Sequence, residues 1–545
     1  MSQSSCSRHL LPDEQESRRA LSNQFESWLE THSDFAAIVI VGIGFVARLK
    51  AASGTFLNPD EALHFLVANR ASWALVYKAS LTTAHPPLFI FVLYWWRHLG
   101  TSELMLRLAS VIAGAAFCWI FFQWLKGIFG KTVGLIGLLF VALLPAMIAL
   151  SAQVRQYELM LLFLISAAYL LERAFIENSP WRMLASSACL DLAMLTHYSA
   201  FLFAATLGIY AALRMVRFRA SAKVAIAWAS GEIGSVGLAI FLYISHISKV
   251  KGMAIAAQAF ELWLSKSYFH PEHASAWVFA VTRTFSVFQF MMGQLVIGDI
   301  MALLFIAGVI LLGSGFLPQR LGPDVFQIRS LLILPFALNC CAGLAGIYPY
   351  GGTRHSVFLV ISVATGISVG LTRITGTRVL LGIALAALVV LLCYTFRTSY
   401  GTDLPRADQS RTQMERAVGF VSERIPANEP ILVDYETGIE LGHYLCEQRP
   451  ILHEDSPLTF DMFHCGMHRI ISTSPEIWSF GSPTLDKWKE FVRRARFTRG
   501  ESIWVAQAGW TVTLADELQR NYPGYCCLER KDFGRNIVFF KMIVD

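Results

Sequence analysis

Long apolar segments alternate with shorter polar ones from about residue 35 to residue 396. A helix needs ~20 predominantly apolar residues to cross the hydrocarbon core of a bilayer, and the repeated pattern predicts about eleven such spans. The predicted spans are residues 35–50, 104–125, 132–150, 157–172, 184–197, 199–213, 224–247, 297–316, 330–348, 355–372 and 379–396. The chain is therefore expected to be a polytopic α-helical membrane protein.

Four polar segments lie outside these spans. Residues 1–34 carry charges of both signs, unlike the n-region of a cleaved signal peptide, so the first span is expected to be retained as an anchor. Residues 51–103 and 248–296 are predicted to form surface helices that lie against the membrane. Residues 397–545 predict a small α/β domain, because strand-like runs stand among helical stretches. The strand-like runs are 430–435, 502–507 and 536–542.

The composition excludes an ordinary soluble globular protein. Of the 545 residues, 55% are hydrophobic and 15% are charged, whereas soluble domains carry about 25% charged residues. The 45 Lys and Arg residues exceed the 39 Asp and Glu residues by 6. This excess is too small and too scattered to indicate binding to nucleic acid, and the lipid bilayer is the expected surrounding.

The basic residues are concentrated in alternate loops. With a cytoplasmic N-terminus, the inner loops hold Lys126, Lys131, Arg173, Arg182, Arg214, Arg217, Arg219, Lys223, Arg320, Arg329, Arg373 and Arg378. The short outer loops hold only Arg155 and Arg354. This asymmetry follows the positive-inside rule, and an odd number of spans places the C-terminal domain outside. In a bacterium this predicts an inner-membrane protein with a periplasmic C-terminal domain; in a eukaryote that side would be lumenal.

Four cysteines belong to the outer domain: Cys446, Cys465, Cys526 and Cys527. Disulfides are permitted there, but the sequence does not give their pairing. His464, Cys465 and His468 stand close together, yet their spacing matches no familiar zinc framework. No metal site is predicted from them.

Polar motifs recur at the outer ends of the predicted spans. Groups that converge at one membrane face predict a functional site. The motifs are Asn58-Pro59-Asp60-Glu61, His85-Pro86-Pro87, Ser151 to Tyr157 with Arg155 between them, Thr196-His197-Tyr198, and Tyr350 to His355 with Arg354 between them.

The adjacent carboxylates of Asp60 and Glu61 have three explanations. They could act as a general base on an acceptor hydroxyl, bind a cation, or favour the first turn of a helix. The arginines suit a phosphate group, because a guanidinium forms paired hydrogen bonds with phosphate oxygens. Together the set suits a transferase with an anionic, lipid-linked donor.

Each of the other residues also has a structural explanation. His85 before two prolines could begin a surface helix, and His197 with Tyr198 could satisfy backbone groups where two spans meet. Arg155 and Arg354 could extend to the membrane interface. Glu103 and Arg107, one helical turn apart, are predicted to pair with each other. Asp191 lies inside a predicted span, and its role stays open.

The ordered motifs resemble those of glycosyltransferase family 39. The resemblance rests on Asp60-Glu61-Ala62, then His85-Pro-Pro-Leu-Phe, then S-x-x-x-R-x-Y-x-L from Ser151, then Thr196-His197-Tyr198, and finally the late outer Arg354. That family has the GT-C fold and includes protein O-mannosyltransferases and lipid A aminoarabinose transferases. It implies that residues 35–396 form the transferase domain.

The resemblance implies transfer of a sugar from a polyprenyl phosphate to an acceptor hydroxyl on the outer face, with inversion. Asp60 would be the general base, with Glu61 supporting it. The donor site would be formed by Arg155, Tyr157, Arg354, His85, His197 and Tyr198. No cofactor is expected, although a divalent cation could bind near the carboxylates. The acceptor could be a glycolipid, a polysaccharide or a protein.

Two other classes of function remain open from the sequence. A secondary transporter or flippase could use Asp191 and the arginines as a pathway for a lipid or small anion. The chain lacks the paired halves that such transporters generally show. A catalytically silent protein that binds lipid-linked sugar is a further alternative, against which the intact Asp60-Glu61 pair argues.

Overall fold

The computed structural model describes residues 12–218, 220–250, 263–313, 322–375, 411–446, 452–454, 460–473, 500–508, 527–534 and 537–543, with a few isolated positions. Up to residue 375 the described chain is helical. The helices are α1 (Pro12–Ala52), α2 (Pro59–Ala68), α3 (Trp73–Ser80), α4 (Leu88–Trp96), α5 (Glu103–Phe129), α6 (Lys131–Leu143), α7 (Pro145–Ser151), α8 (Tyr157–Ile176), α9 (Pro180–Met194), α10 (Ala200–Phe218), α11 (Ala222–Leu242), α12 (Ala276–Met292), α13 (Leu295–Leu311), α14 (Val325–Leu344) and α15 (Val360–Thr375).

Seven of the described helical segments are long and apolar enough to cross a membrane. They are Thr31–Ala52, Glu103–Phe129, Tyr157–Ile176, Ala200–Arg217, Ala222–Val250, Val325–Leu344 and Arg354–Thr375. Two bent pairs, α6 with α7 and α12 with α13, raise the number to nine if each pair is one span. A polytopic helical membrane protein is thereby confirmed.

The predicted count of eleven stays a prediction. Predicted span 184–197 corresponds to α9, a helix of 15 residues that packs between α8 and α11. Predicted span 379–396 lies largely outside the described residues. The predicted outer segment 248–296 contains α12, which meets α13 at an angle of 114°. Gly293 stands at that bend with φ +64°, a left-handed conformation that glycine adopts without steric cost.

The bend of 58° between α6 and α7 has a local cause in Pro145. Proline lacks the N–H that would bond to the carbonyl of Val141, and it disfavours helical geometry in the residue before it. Arg48 of α1 supplies donors instead, with Nη2 3.1 Å from the Val141 oxygen and Nη1 2.7 Å from the Ala142 oxygen. A fully buried arginine thus satisfies the end of α6 inside the bundle.

The C-terminal domain contains a seven-stranded mixed sheet in the order β2-β3-β4-β1-β5-β7-β6. Its central strands β4, β1 and β5 are parallel, and the outer pairs are antiparallel. The elements are α16 (Arg411–Arg424), β1 (Ile431–Val433), α17 (Tyr435–Tyr444), β2 (Leu452–Glu454), β3 (Phe460–Cys465), β4 (His468–Thr473), β5 (Ser502–Ala508), β6 (Cys527–Asp532) and β7 (Ile537–Ile543). The three predicted strand runs are confirmed as β1, β5 and β7. The predicted domain bounds stay predictions.

A disulfide joins Cys446 to Cys465. Cys465 is therefore not free to bind zinc with His464 and His468. Among the described residues, no three His, Cys, Asp or Glu side chains are grouped so that they could hold a metal ion.

The C-terminal domain docks onto the membrane domain through α17. The Leu57 backbone N–H donates to the Tyr444 hydroxyl at 2.7 Å, and this hydroxyl lies 3.2 Å from Glu103 Oε1. The rings of Phe65 on α2 and His443 on α17 meet edge to face, 5.1 Å apart. The C-terminal domain therefore packs directly against the helix that carries Asp60 and Glu61.

Candidate functional site

The site is built around the first turn of α2. Asn58 caps the helix: its Oδ1 accepts from the Glu61 N–H, and its own N–H donates to Glu61 Oε2, both at 3.0 Å. Pro59 occupies the first helical position, where its missing N–H costs nothing. This capping box fixes the direction of Asp60 and Glu61. Consecutive helical residues point about 100° apart, so the two carboxylates face different surroundings.

Asp60 lies between two arginines from distant parts of the chain. Its Oδ2 is 2.7 Å from Nη2 of Arg354 and 3.2 Å from Nη1 of Arg155. The side chain of Asp60 is 27% exposed and that of Arg354 is 23% exposed, whereas Arg155 is buried. The cluster therefore combines a partly accessible carboxylate with two positive charges.

The arginines decide the ionisation of Asp60. Burial alone would raise the pKa of this carboxyl, but Arg155 and Arg354 outweigh it and hold the pKa well below its ordinary value. Asp60 is thus an anion at neutral pH. In this arrangement it is a weak base.

Arg155 stands in the short connection between α7 and α8. Its carbonyl accepts from the Ser110 hydroxyl at 2.9 Å. Its Nη2 lies 3.3 Å from His85 Nε2 and donates to the Tyr157 hydroxyl at 3.4 Å. A guanidinium held on several sides in this way is a preorganised anion ligand.

Glu61 has different partners from Asp60. It is fully buried and forms a paired contact with Arg107 of α5, Oε1 to Nε and Oε2 to Nη2, both 2.8 Å. Its Oε1 also accepts from the Val154 N–H at 2.8 Å, which ties α2 to the connection that carries Arg155. The predicted ion pair between Arg107 and Glu103 is therefore wrong, because Arg107 pairs with Glu61 instead. Glu103 instead lies 3.5 Å from Arg411 of the C-terminal domain.

Arg354 is presented by a tight loop before α15. A side chain at Gly352 would meet the Ser286 carbonyl of α12 at 2.5 Å, so only glycine fits this approach. The Gly352 N–H donates to the Ser286 hydroxyl at 2.9 Å. The glycine pair that precedes Arg354 thus lets the loop pass α12 and present the guanidinium to Asp60.

Four imidazole rings form a row beside the charged cluster. Successive ring centroids are 5.5 Å apart for His64 and His85, 5.7 Å for His85 and His197, and 6.0 Å for His197 and His355. Burial, followed by the charge of Arg155, lowers the pKa of His64 to about 3 and holds that of His85 well below its ordinary value. These two rings are neutral at physiological pH and act as hydrogen-bonding groups rather than charges.

Backbone contacts bring the histidine motifs together. The Leu88 N–H, just after Pro87, donates to the Leu195 carbonyl at 3.0 Å, which joins the loop of His85 to that of His197. Tyr157 completes the group, with its ring 5.1 Å from that of His197. Direct contacts thus connect six of the predicted site residues: Asp60, Arg155, Arg354, His85, His197 and Tyr157.

Tyr198 and Asp191 have other partners. The Tyr198 hydroxyl contacts His246 Nδ1, and His246 Nε2 lies 2.8 Å from the Thr83 carbonyl. Asp191 Oδ1 accepts from the Ser235 hydroxyl of α11 at 2.6 Å. Tyr198 therefore supports the edge of the site through His246, and Asp191 bonds to a neighbouring helix.

Sequence reasoning missed two groups at this site. His64 is one turn after Asp60, and its Nδ1 lies 2.7 Å from the Asp60 carbonyl while its Nε2 lies 3.1 Å from Gln156 Oε1. The i to i+4 spacing from Asp60 could have indicated it. His355, next to Arg354, is the second group, and its motif alone indicates no role for it.

The C-terminal domain adds a second group of acidic residues near α2. Asp434 caps α17 by accepting from the Thr437 N–H at 2.7 Å. Burial, then the charges of Asp434 and Asp60, raise the pKa of Glu436 to about 9. Burial and nearby carboxyls also raise the pKa of Glu440 well above its ordinary value. Glu436 is therefore protonated at neutral pH. No linear signal in the sequence ties these carboxyl groups to Asp60.

Comparison with known proteins gives a family match and a fold. Residues 84–246 match the family model described as dolichyl-phosphate-mannose-protein mannosyltransferase. The structure is similar to that of ArnT from Cupriavidus metallidurans, solved bound to undecaprenyl phosphate and in the apo state. The TM-score is 0.51 at 12% identity, over 92% of this chain and 97% of that chain.

The apo oligosaccharyltransferase from Archaeoglobus fulgidus is also similar. Its TM-score is 0.53 at 12% identity, over 88% of this chain and 70% of that chain. No curated protein sequence matches this chain. At such identities the structural similarity establishes a shared fold, and the roles of individual residues rest on the geometry described above.

Proposed function

We propose that this chain, a membrane glycosyltransferase of the GT-C fold, moves a sugar from a polyprenyl phosphate to an acceptor hydroxyl at the Asp60 cluster. The observation that carries the proposal is the contact of one partly exposed carboxylate with two arginines. A base and an anion-binding group are thus available at one place. Transfer from a sugar phosphate to a hydroxyl needs both.

The donor follows from the chemistry of the cluster and from the similar proteins. Guanidinium groups are suited to phosphate oxygens, and Arg155 is held in place by Tyr157 and His85. The name of the matching family model includes dolichyl phosphate, and one similar structure contains undecaprenyl phosphate. A lipid phosphate would place its phosphate against Arg155 and Arg354 while its chain stays in the bilayer.

The transfer step is a single displacement. The acceptor oxygen forms a bond to the anomeric carbon, the bond from that carbon to the phosphate oxygen breaks, and its electron pair leaves with the phosphate. The acceptor proton passes to Asp60. Attack opposite to the phosphate inverts the anomeric carbon, and general-base help of this kind contributes about 10²- to 10⁴-fold.

Glu61 would act as a positioning residue. Its carboxylate joins Arg107 to the Val154 N–H, so it fixes both α2 and the segment that carries Arg155. The neutral imidazoles of His64 and His85 would supply hydrogen bonds without adding charge. Because two arginines can stabilise a phosphate leaving group, we propose that no resident metal ion is required.

We place this site on the outer side of the membrane. Arg155 and Arg354 lie at the beginnings of candidate spans, whereas Lys126, Arg173 and Arg217 lie at the opposite ends of α5, α8 and α10. The basic ends of spans usually face the cytoplasm. The disulfide in the domain that docks against α2 also fits an oxidising compartment, such as the periplasm.

Turnover of defined donors tests the function. Purified protein is given a panel of polyprenyl-phosphate sugars with cell-envelope extract as the source of acceptor, and transferred sugar is measured. One donor should be consumed by the wild type and not by Asp60→Asn. Asp191→Asn, which removes an aspartate bound to a different helix, is the matched control and should keep its activity. Equal turnover in wild type and Asp60→Asn would reject Asp60 as the base.

A further inference from the structure

Both arginines contact the same oxygen of Asp60. Nη2 of Arg354 and Nη1 of Arg155 converge on Oδ2 at 2.7 and 3.2 Å. These are the groups that the proposed function also needs for the donor phosphate. The base and the phosphate therefore require the same two cations.

The two requirements conflict while the arginines stay on Asp60. A carboxylate that is stabilised by two guanidiniums accepts a proton poorly, and the lowered pKa of Asp60 reflects this. An acceptor hydroxyl needs a stronger base. Withdrawal of one or both guanidiniums from Oδ2 would restore the basicity of the carboxylate.

We propose that Arg155 and Arg354 are shared between Asp60 and the donor phosphate, so that donor binding draws guanidinium contacts away from Asp60 and releases it to act as the base. This inference rests on the proposed function. It gives an order to the reaction, because the acceptor is deprotonated efficiently only after the donor has bound. Without donor, the base stays paired.

The charges of the three side chains fit such an exchange. Two arginines and one aspartate carry a net charge of +1, and a sugar phosphodiester carries one negative charge. After transfer, Asp60 holds the acceptor proton and is neutral, while the released lipid phosphate approaches two negative charges because its second pKa is about 6. The sum of charges is then zero both before and after the reaction.

The two arginines differ in their freedom to move. Arg155 is buried and is bound by Tyr157 and His85. Arg354 is 23% exposed, so its guanidinium can be reached from solvent. Arg354 is therefore the guanidinium expected to shift from Asp60 to the phosphate, and Arg155 the fixed ligand.

Binding of a lipid phosphate tests the exchange without turnover. Undecaprenyl phosphate in detergent micelles is titrated into wild type, Asp60→Asn and Asp191→Asn. Because Asp60 competes with the phosphate, Asp60→Asn should bind about tenfold more tightly, within the usual range of coupling between sites. Asp191→Asn should match the wild type, and undecaprenol, which has no phosphate, should show no gain. Asp60→Ser serves as a second variant and should show the same gain.

A double-mutant cycle separates shared arginines from a general charge effect. Arg354→Ala should weaken binding, and Asp60→Asn in the Arg354→Ala background should lose most of its tenfold gain. A gain that persists in that background, or Asp60 variants that bind no more tightly than wild type, would overturn the proposal. Failure of the proposed function looks different: wild type would bind undecaprenyl phosphate no better than undecaprenol, and Arg354→Ala would change nothing.

Discussion

Replacement of Glu61 by glutamine tests whether the two adjacent carboxylates have separate tasks. Glu61 is fully buried and accepts four hydrogen bonds: two from Arg107, one from the Val154 N–H and one from the Asn58 N–H. Glutamine keeps the size of the side chain but removes its charge. Arg107 would remain bonded to the carbonyls of Ala52, Thr55 and Phe56 while its charge lost its partner.

The expected cost follows from burial. Breaking a buried ion pair on one side costs about 3 to 5 kcal/mol, because a charge is left without compensation. Since Arg107 keeps its carbonyl contacts, we expect the lower end, about 3 kcal/mol. Thermal unfolding of purified protein in detergent should then show a fall of about 5 °C in apparent Tm. Turnover per folded molecule should decline much less than in Asp60→Asn.

Glu415→Gln is the matched control for this substitution. Glu415 pairs with Arg411 on α16 at 2.8 Å, and the two side chains are 59% and 55% exposed. Exposed pairs contribute about 0 to 1 kcal/mol, so its Tm should scarcely change. If Glu61→Gln keeps the wild-type Tm but loses turnover as completely as Asp60→Asn, Glu61 takes part in the chemistry and the structural argument fails.

Three further predictions concern the C-terminal domain and the need for metal ions. Since burial, Asp434 and Asp60 raise the pKa of Glu436 from 4.5 to about 9, the folded protein keeps a proton that the unfolded chain releases. Stability should therefore fall as pH rises between these values, and Glu436→Gln should flatten that slope in Tm measurements from pH 5 to 9. Cys446→Ser should lower the free energy of unfolding by about 3 kcal/mol, because it removes the disulfide to Cys465. The C-terminal domain should then unfold at a lower temperature, and the reduced wild type should behave in the same way. EDTA should leave the initial rate of sugar transfer unchanged; a loss that Mg²⁺ or Mn²⁺ restores would contradict a site served by arginines alone.

The sequence predicted the membrane class because length and apolarity are local properties. Helix α5 and helix α8 cover the predicted spans 104–125 and 157–172. The family resemblance is confirmed by the match of residues 84–246 to a family model. It could be recognised from the sequence because ordered motifs do not depend on a structure. Strands β1, β5 and β7 were predictable for the same reason, as short runs rich in β-branched and aromatic residues.

Pairings across the chain could not be predicted in this way. The distance in sequence from Glu61 to Arg107 is 46 residues, and that from Asp60 to Arg354 is 294 residues. The spacing on one helix predicted an ion pair between Glu103 and Arg107. Such pairs, one helical turn apart, are often exposed and stabilise the protein only weakly. The buried guanidinium of Arg107 instead pairs with Glu61, because the fold buries both side chains together. Docking of α17 on α2 depends on the tertiary fold of two domains, and it has no local signal.

The two ion pairs show how the surroundings of neighbouring carboxylates differ. Glu61 and Arg107 have no exposed side-chain surface, so their pair is rigid and fixes the frame of the site. Asp60 and Arg354 are each about one quarter exposed, so an incoming anion can reach them and exchange contacts. A transporter pathway would need Asp191 to act with these arginines, yet Asp191 bonds to Ser235 of α11. The accessible carboxylate and guanidinium therefore meet at a place that solvent reaches, which is the arrangement that the proposed transfer requires.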